Sequence, residues 1–313
     1  MDLAATLRRA GLAAAFALTS LAAQAQDVVG GLVERRLLTH SEALGRDIAY
    51  SLYRPAVAPR EGEVWPTLFL LEGRPSETDW LDQGDAQNIL DRAIADGVIP
   101  PMLVVMPVAP HSWYVDNPDP GGHGRMKTAI TQDLRAALEQ RFPLARCREG
   151  RAVAGLSMGG YGALLFALDA PDLFGAGVSL SGAIAPPIGE GDDERAARAD
   201  RFYDKAFGAP LARERFNAWN LFGKAEALRR AAEKPAIFLS IGDRDRAGLL
   251  QSTTLLHAQL LRAGVDSSLR VGSGGHDWEV WKRDLAAALA WLGPRLDTRC
   301  DSEIASREGA ALR

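Results

Sequence analysis

The chain has 313 residues, 47% of them apolar and 24% charged, which is ordinary for a folded protein and excludes a disordered or fibrous chain. Its 36 basic and 40 acidic residues give a formal charge of −4, so there is no basic excess to neutralise phosphates and nucleic acid is not an expected partner. Two cysteines are too few for a disulfide scaffold or a four-thiolate zinc site.

Near the start, Arg8 and Arg9 precede an uncharged run over 11–23 made mostly of Ala, Leu and Phe, which closes on Ala23-Gln24-Ala25. A charged region, a short apolar region and a small-x-small end form the pattern of a secretory signal. The run falls short of the roughly 20 residues that a membrane span needs. The expectation is a signal peptide over 1–25, an exported (periplasmic or secreted) mature chain, and no stable membrane insertion after cleavage. Export implies an oxidising compartment, in which Cys147 and Cys300 either pair or remain separate thiols; their spacing in sequence does not choose.

Residues 33–39 and 47–54 read as half-buried strands joined at Gly45-Arg46. Short apolar runs follow at 67–71, 103–106, 151–155, 177–180, 236–241 and 268–271. Such uninterrupted runs fit strands buried on both faces of a parallel sheet. Helical spacing occupies 86–95, 127–141, 161–169, 253–263 and 278–292, with Pro171 and Gly293-Pro294 as stops. Strand–helix alternation predicts one α/β domain over 26–300, with a mainly parallel central sheet and helices on both faces. Residues 186–233 break the rhythm as a helical insertion carrying Phe202, Tyr203, Phe207, Phe216, Trp219 and Phe222. It is either an excursion packed on the sheet edge or a wall over a pocket. The polar tail 301–313 is expected to fray.

One constellation carries chemistry. Gly155-Leu156-Ser157-Met158-Gly159 is a G-x-S-x-G sequence lying between a predicted strand and a predicted helix. A sharp strand-to-helix turn strains the serine backbone, and glycines two residues on either side remove side chains that would clash. The helix start then aims N–H groups and positive dipole at a developing oxyanion. A serine hydroxyl needs a base, and His276 in Gly274-Gly275-His276-Asp277-Trp278 sits where such a sheet supplies one, after its last strand. His40 and His257 read as structural or exposed, whereas His111 and His123 flank a Gly/Pro-rich loop that could line a pocket. The acid should end the preceding strand, where Ile241-Gly242-Asp243-Arg244-Asp245 offers Asp245 first and Asp243 as the alternative. The order Ser157, Asp245, His276 is that of the α/β-hydrolases. Backbone N–H groups of Met158, directly after the nucleophile, and of Arg74, after the strand at 67–71, are the expected oxyanion donors. No histidine pair has metal-ligand spacing with a third donor nearby, and neither metal nor other cofactor is expected.

At these residues the chain resembles the esterase D and tributyrin-esterase group of α/β-hydrolases, which includes the antigen-type mycolyltransferases. The matching pieces are Leu70-Leu71-Glu72-Gly73 with Glu77-Thr78-Asp79-Trp80, Ser112-Trp113-Tyr114-Val115-Asp116, the stretch from Ala154 to Ala163, Leu180-Ser181-Gly182, and the stretch from Gly274 to Trp281. The resemblance implies ester hydrolysis through an acyl-enzyme on Ser157, with Asp245 and His276 in support and Arg74 and Met158 as the oxyanion hole. The chain departs from the group at Glu72, where a histidine is common before the glycine. The expected activity is hydrolysis of a small acyl ester or acylated carbohydrate. Acyl transfer to a sugar would use the same residues, and an inactive binding protein on the same fold is the reading from a different class.

Overall fold

The computed structural model describes residues 30–74 and 79–300; the expected signal peptide and the polar tail lie outside the described residues. Among the described residues the strands are β1 (Leu32–Ser41), β2 (Arg46–Arg54), β3 (Thr67–Leu71), β4 (Leu103–Pro107), β5 (Asp116–Asn117), β6 (Gly124–Arg125), β7 (Arg151–Leu156), β8 (Ala176–Leu180), β9 (Ala236–Gly242) and β10 (Ser267–Gly272). Eight of them form one sheet in the order β1-β2-β4-β3-β7-β8-β9-β10, while β5 and β6 pair as a separate short hairpin. β1 and β2 are antiparallel, as are β2 and β4, and all pairs from β4 to β10 are parallel. β3, β4, β7 and β8 are buried along their whole length, which is why their sequences run apolar without alternation.

The helices are α1 (Asp79–Asp82), α2 (Ala86–Ala95), α3 (Met126–Thr128), α4 (Arg135–Arg141), α5 (Met158–Asp169), α6 (Asp193–Phe202), α7 (Arg213–Ala218), α8 (Leu221–Ala227), α9 (Ala247–Arg262) and α10 (Trp278–Leu292). A π-helical stretch, Ala129–Leu134, joins α3 to α4 without interrupting the apolar face. Alternate residues of β3 feed opposite cores. Phe69 and Leu71 pack with Leu134, Leu164 and Phe166 on one face; Leu68 and Leu70 pack with Leu90, Leu285 and Leu289 on the other. Helices therefore cover both faces, as the sequence pattern predicts. No described helix is long and apolar enough to cross a membrane.

Two helices begin earlier than their apolar spacing suggests. α5 starts at Met158, because its first turn holds glycines that carry no periodic signal. α9 starts at Ala247, where the first residues are exposed and only later ones bury a face. Segment 186–233 does not lie on a sheet edge. Its helix α8 packs on α5 and α9, Tyr161 donates its hydroxyl to the Trp219 carbonyl at 2.8 Å, and Lys127 and Lys224 both pair with Asp169. Cys147 and Cys300 are bonded, with Cα atoms 5.9 Å apart, tying the approach to β7 to the chain beyond α10.

Candidate active site

The turn from β7 into α5 is as tight as its glycines imply. Ser157 has φ 52° and ψ −113°, a strained position for a residue with a side chain. A Cβ on Gly155 would fall 2.3 Å from the Gly159 carbonyl oxygen, and one on Gly159 would fall 2.4 Å from that of Leu71. The Ser157 N–H donates to the Leu180 carbonyl at 3.0 Å, and its own carbonyl accepts from Tyr161 at 3.1 Å. Locked between β8 and the first turn of α5, the serine has little freedom except at its hydroxyl.

His276 comes from the loop between β10 and α10, which Asp277 anchors by accepting the Val280 N–H at 3.1 Å. His276 Nε2 lies 3.0 Å from Ser157 Oγ. Its Nδ1 lies 3.0 and 3.1 Å from the two carboxylate oxygens of Asp245. Trp281 meets the imidazole edge-on, with ring centres 4.9 Å apart. The Asp245 carboxylate is fully buried and also accepts the Arg246 N–H at 2.6 Å. Burial opposes its charge, but His276, the nearby Ser181 hydroxyl and the Arg246 N–H outweigh burial and hold the carboxyl below its usual range. Ser181 itself is buried at φ 48°, and its hydroxyl stays short of a well-formed hydrogen bond. Asp243 points elsewhere. Exposed, it accepts the Gly274 N–H at 2.9 Å and thereby pins the histidine loop to the end of β9. The two aspartates thus divide the work: one faces the imidazole, the other fixes the loop that carries it.

Gly73 and Arg74 follow β3 and press against the elbow. A Cβ on Gly73 would lie 2.6 Å from Leu156 Cδ1 and 3.7 Å from Ser157 Cβ. Met158 is the first residue of α5, so its N–H has no acceptor within that helix. Arg74 and Met158 line one cavity of about 250 Å³ with Ser157 and His276. Trp113, Phe202, Arg246, Trp278 and Trp281 complete its walls. A larger cavity of about 610 Å³, lined by Val57, Trp65, Val98 and Pro294 among others, lies at the opposite ends of the strands and brings no nucleophile and base together. The smaller cavity is the one with chemistry, at the carboxyl end of a parallel sheet where such folds place their ligands.

The wall over this cavity was not legible residue by residue. Arg74 donates to the Phe202 carbonyl and to Asp204, both at 2.7 Å, and its guanidinium lies 5.2 Å from the Phe202 ring centre. Burial works against the Asp204 charge, yet Arg74 and His111 hold that carboxyl below its usual range. His111 Nδ1 is 3.2 Å from the Asp204 carboxylate and His123 Nε2 is 2.9 Å from its carbonyl. These two histidines therefore buttress the wall and do not line the cavity. His40 is exposed beside Glu42 and Asp47, and His257 meets the Ser267 hydroxyl at 2.9 Å. Among the described residues, the group with metal-ligating atoms close together is Cys147, Asp297 and Cys300, whose sulfurs are spent on the disulfide.

Residues 41–292 match the family described as "Putative esterase". The chain is 27% identical over 283 residues to an uncharacterized protein of Corynebacterium glutamicum, covering 85% of this chain and 62% of that one. It is 27% identical over 244 residues to an acetyl esterase of Caldicellulosiruptor saccharolyticus, covering 74% and 85%. The chain thus spans about three fifths of the first relative and most of the second. A solved ferulic acid esterase superposes with TM-score 0.68 at 24% identity over 85% of this chain and 99% of that one. MPT51 of Mycobacterium tuberculosis gives 0.64 at 21% identity over 85% and 99%.

Proposed function

The chain belongs to the esterase family, among the α/β-hydrolases that resemble esterase D, and on that footing we propose that it is an exported serine carboxylesterase cleaving a small acyl ester or an acylated carbohydrate. The observation that carries this reading is the continuous line Ser157 Oγ, His276 Nε2, His276 Nδ1, Asp245, with steps of 3.0 Å, facing one cavity with Arg74 and Met158.

In this reading Ser157 Oγ attacks the acyl carbon while its proton passes to His276 Nε2. Asp245 keeps a proton on Nδ1, which leaves Nε2 free to accept, and stabilises the imidazolium that forms. The carbonyl oxygen gains the negative charge and takes hydrogen bonds from the Arg74 and Met158 N–H groups, where one donor is worth about 10²–10³ in rate. The C–O bond to the alcohol then breaks, and the leaving oxygen takes the proton from His276. Water, giving its proton to His276, attacks the acyl-enzyme, and the carboxylic acid departs from a restored Ser157.

A cavity of about 250 Å³ favours a short or planar acyl group. The acetyl esterase relative supports an acetyl ester, and the aromatic walls Trp113, Phe202, Trp278 and Trp281 suit a ring or a sugar face. The signal-like segment over 1–25 supports export. So does the Cys147–Cys300 bond, since such bonds persist in oxidising compartments. The test is a panel of esters varied in acyl chain and in alcohol, run with product analysis in the presence of sugar acceptors. Preference for short acyl or acylated-sugar esters with free acid as product supports the proposal. Acylated sugar as the main product would convert it to acyl transfer. Failure of Ser157 to react with a fluorophosphonate would remove the enzymatic reading altogether.

A further inference from the structure

Glu72 stands at the end of β3, two residues before Arg74, and is 1% exposed. Its backbone is held from two sides. The Tyr114 hydroxyl donates to its carbonyl at 3.0 Å, and a Cβ on Gly159 would lie 2.6 Å from that same oxygen. Its side chain runs beneath α1, where Oε1 accepts the Trp80 N–H at 3.2 Å and Oε2 is buried with no hydrogen-bond partner among the described residues. Trp80, fully buried, donates its indole N–H to the Leu71 carbonyl at 3.0 Å. Glu72 and Trp80 therefore tie the end of β3, just before Gly73 and Arg74, to α1. The charges acting on Glu72 are the carboxylates of Asp79 and Asp82 on α1, the second paired with Arg35 at 2.7 Å. The phenol of Tyr114, itself pushed well above its ordinary range by burial, faces it from the other side.

A buried carboxyl near two carboxylates is favoured in its neutral form. Burial first, then Asp79 and Asp82, push Glu72 up to about 8 against the pull of the Trp80 N–H. Resting on the esterase reading, we infer that Glu72 is a positioning residue: its neutral carboxyl bridges the end of β3 to the first turn of α1 and so holds the Gly73–Arg74 segment against Ser157. The role follows from connectivity. Arg74 can aim its N–H at an oxyanion only if Gly73 and Arg74 keep their place against Ser157, and Glu72 with Trp80 ties the end of β3 from which they lead to α1. Ionisation places an unpaired negative charge under this segment. That charge competes for its N–H groups and repels the oxyanion they serve. The effect belongs to the transition state, so it should appear in kcat more than in KM.

The experiment is the pH profile of kcat and KM on a small ester for the wild type and for Glu72→Gln, whose amide copies the neutral acid in size and keeps an acceptor for Trp80. Near neutral pH the variant should keep kcat within about threefold of the wild type. Above the Glu72 value, wild-type kcat should fall about tenfold per pH unit while KM changes little, and the variant should hold its plateau. An alkaline fall shared by both proteins overturns the inference. So does a folded Glu72→Gln protein inactive at every pH. Should the variant not fold, infrared titration of the wild type decides the matter. A protonated carboxyl band persisting at neutral pH and lost in step with kcat upholds the inference; its absence at pH 6.5 overturns it. That spectrum needs no turnover. A wild type that cleaves no ester and ignores a fluorophosphonate would therefore count against the esterase reading, while the band still reports on Glu72.

Discussion

Asp245→Asn paired with Asp243→Asn gives the sharpest test of the site, because the two residues are neighbours in sequence with different partners in space. At Asp245, both carboxylate oxygens lie within 3.1 Å of His276 Nδ1, and one of them also accepts the Arg246 N–H at 2.6 Å. An asparagine keeps its oxygen toward Arg246, because turning its NH₂ there would oppose two donors. The NH₂ then takes the other oxygen's place, about 3.1 Å from Nδ1. Nδ1 is pushed to give up its proton, the proton moves to Nε2, and Nε2 can no longer accept from Ser157. The expected loss in kcat is about 10³–10⁴-fold. Asp243 asks only for an acceptor: its Oδ1 takes the Gly274 N–H at 2.9 Å, and an asparagine oxygen does the same. Asp243→Asn should therefore cost less than about tenfold. The assay is steady-state hydrolysis of one ester by both variants, after circular dichroism has shown native folding. A crippled Asp243→Asn beside an active Asp245→Asn would refute the assignment, and two unimpaired variants would refute the argument from the end of β9.

Ser157→Ala removes one oxygen from a strained turn, so turnover should fall about 10⁴–10⁶-fold and fluorophosphonate labelling should vanish while the melting temperature holds or rises. Replacing Cys147 and Cys300 together by serine should lower stability by about 2–5 kcal/mol with little change in kcat, since the bond sits before the start of β7 and Ser157 follows its other end; denaturant titration reads it. Glu72 makes a separate prediction about stability. Its value rises on folding from 4.5 to about 8, so its contribution is fully present below pH 4.5 and is lost as pH rises through 8. Glu72→Gln should accordingly gain on the wild type across that window, by on the order of 3–5 kcal/mol at the alkaline end, as measured by denaturant titration at several pH values.

What the sequence makes legible is whatever a short stretch of chain encodes by itself. Leu68 to Leu71 are buried on both faces, so the strand appears as an unbroken apolar run. The elbow is legible because strain and close approach leave only glycine at 155 and 159, and this constraint sits within five residues of Ser157. Asp245 and Asp243 mark the limit. Both end the same strand, and only the path of the histidine loop, through Gly274 and Gly275, decides which carboxylate meets His276.

The wall lies beyond that limit for a physical reason. Arg74 reaches residues 202 and 204, more than a hundred positions along the chain, and α6 buries none of its residues. A helix held by an arginine and by Asp204's histidine partners carries little apolar periodicity, so its sequence can specify a helix without saying where the helix goes. Glu72 is the reverse case. Its sequence announces an acid where the resembling group commonly has histidine, but only the fold buries that acid beneath Trp80 near Asp79 and Asp82, which pushes its carboxyl up. The Ser157 elbow is thus written locally, while the groups that shape the cavity and pack under Gly73 and Arg74 depend on contacts made after the sheet is assembled. Substrate choice should follow the second set. Changes at Arg74, Phe202 or Asp204 are therefore expected to alter which ester is preferred, measured as the ratio of kcat/KM between two alcohols, without moving the reaction off Ser157.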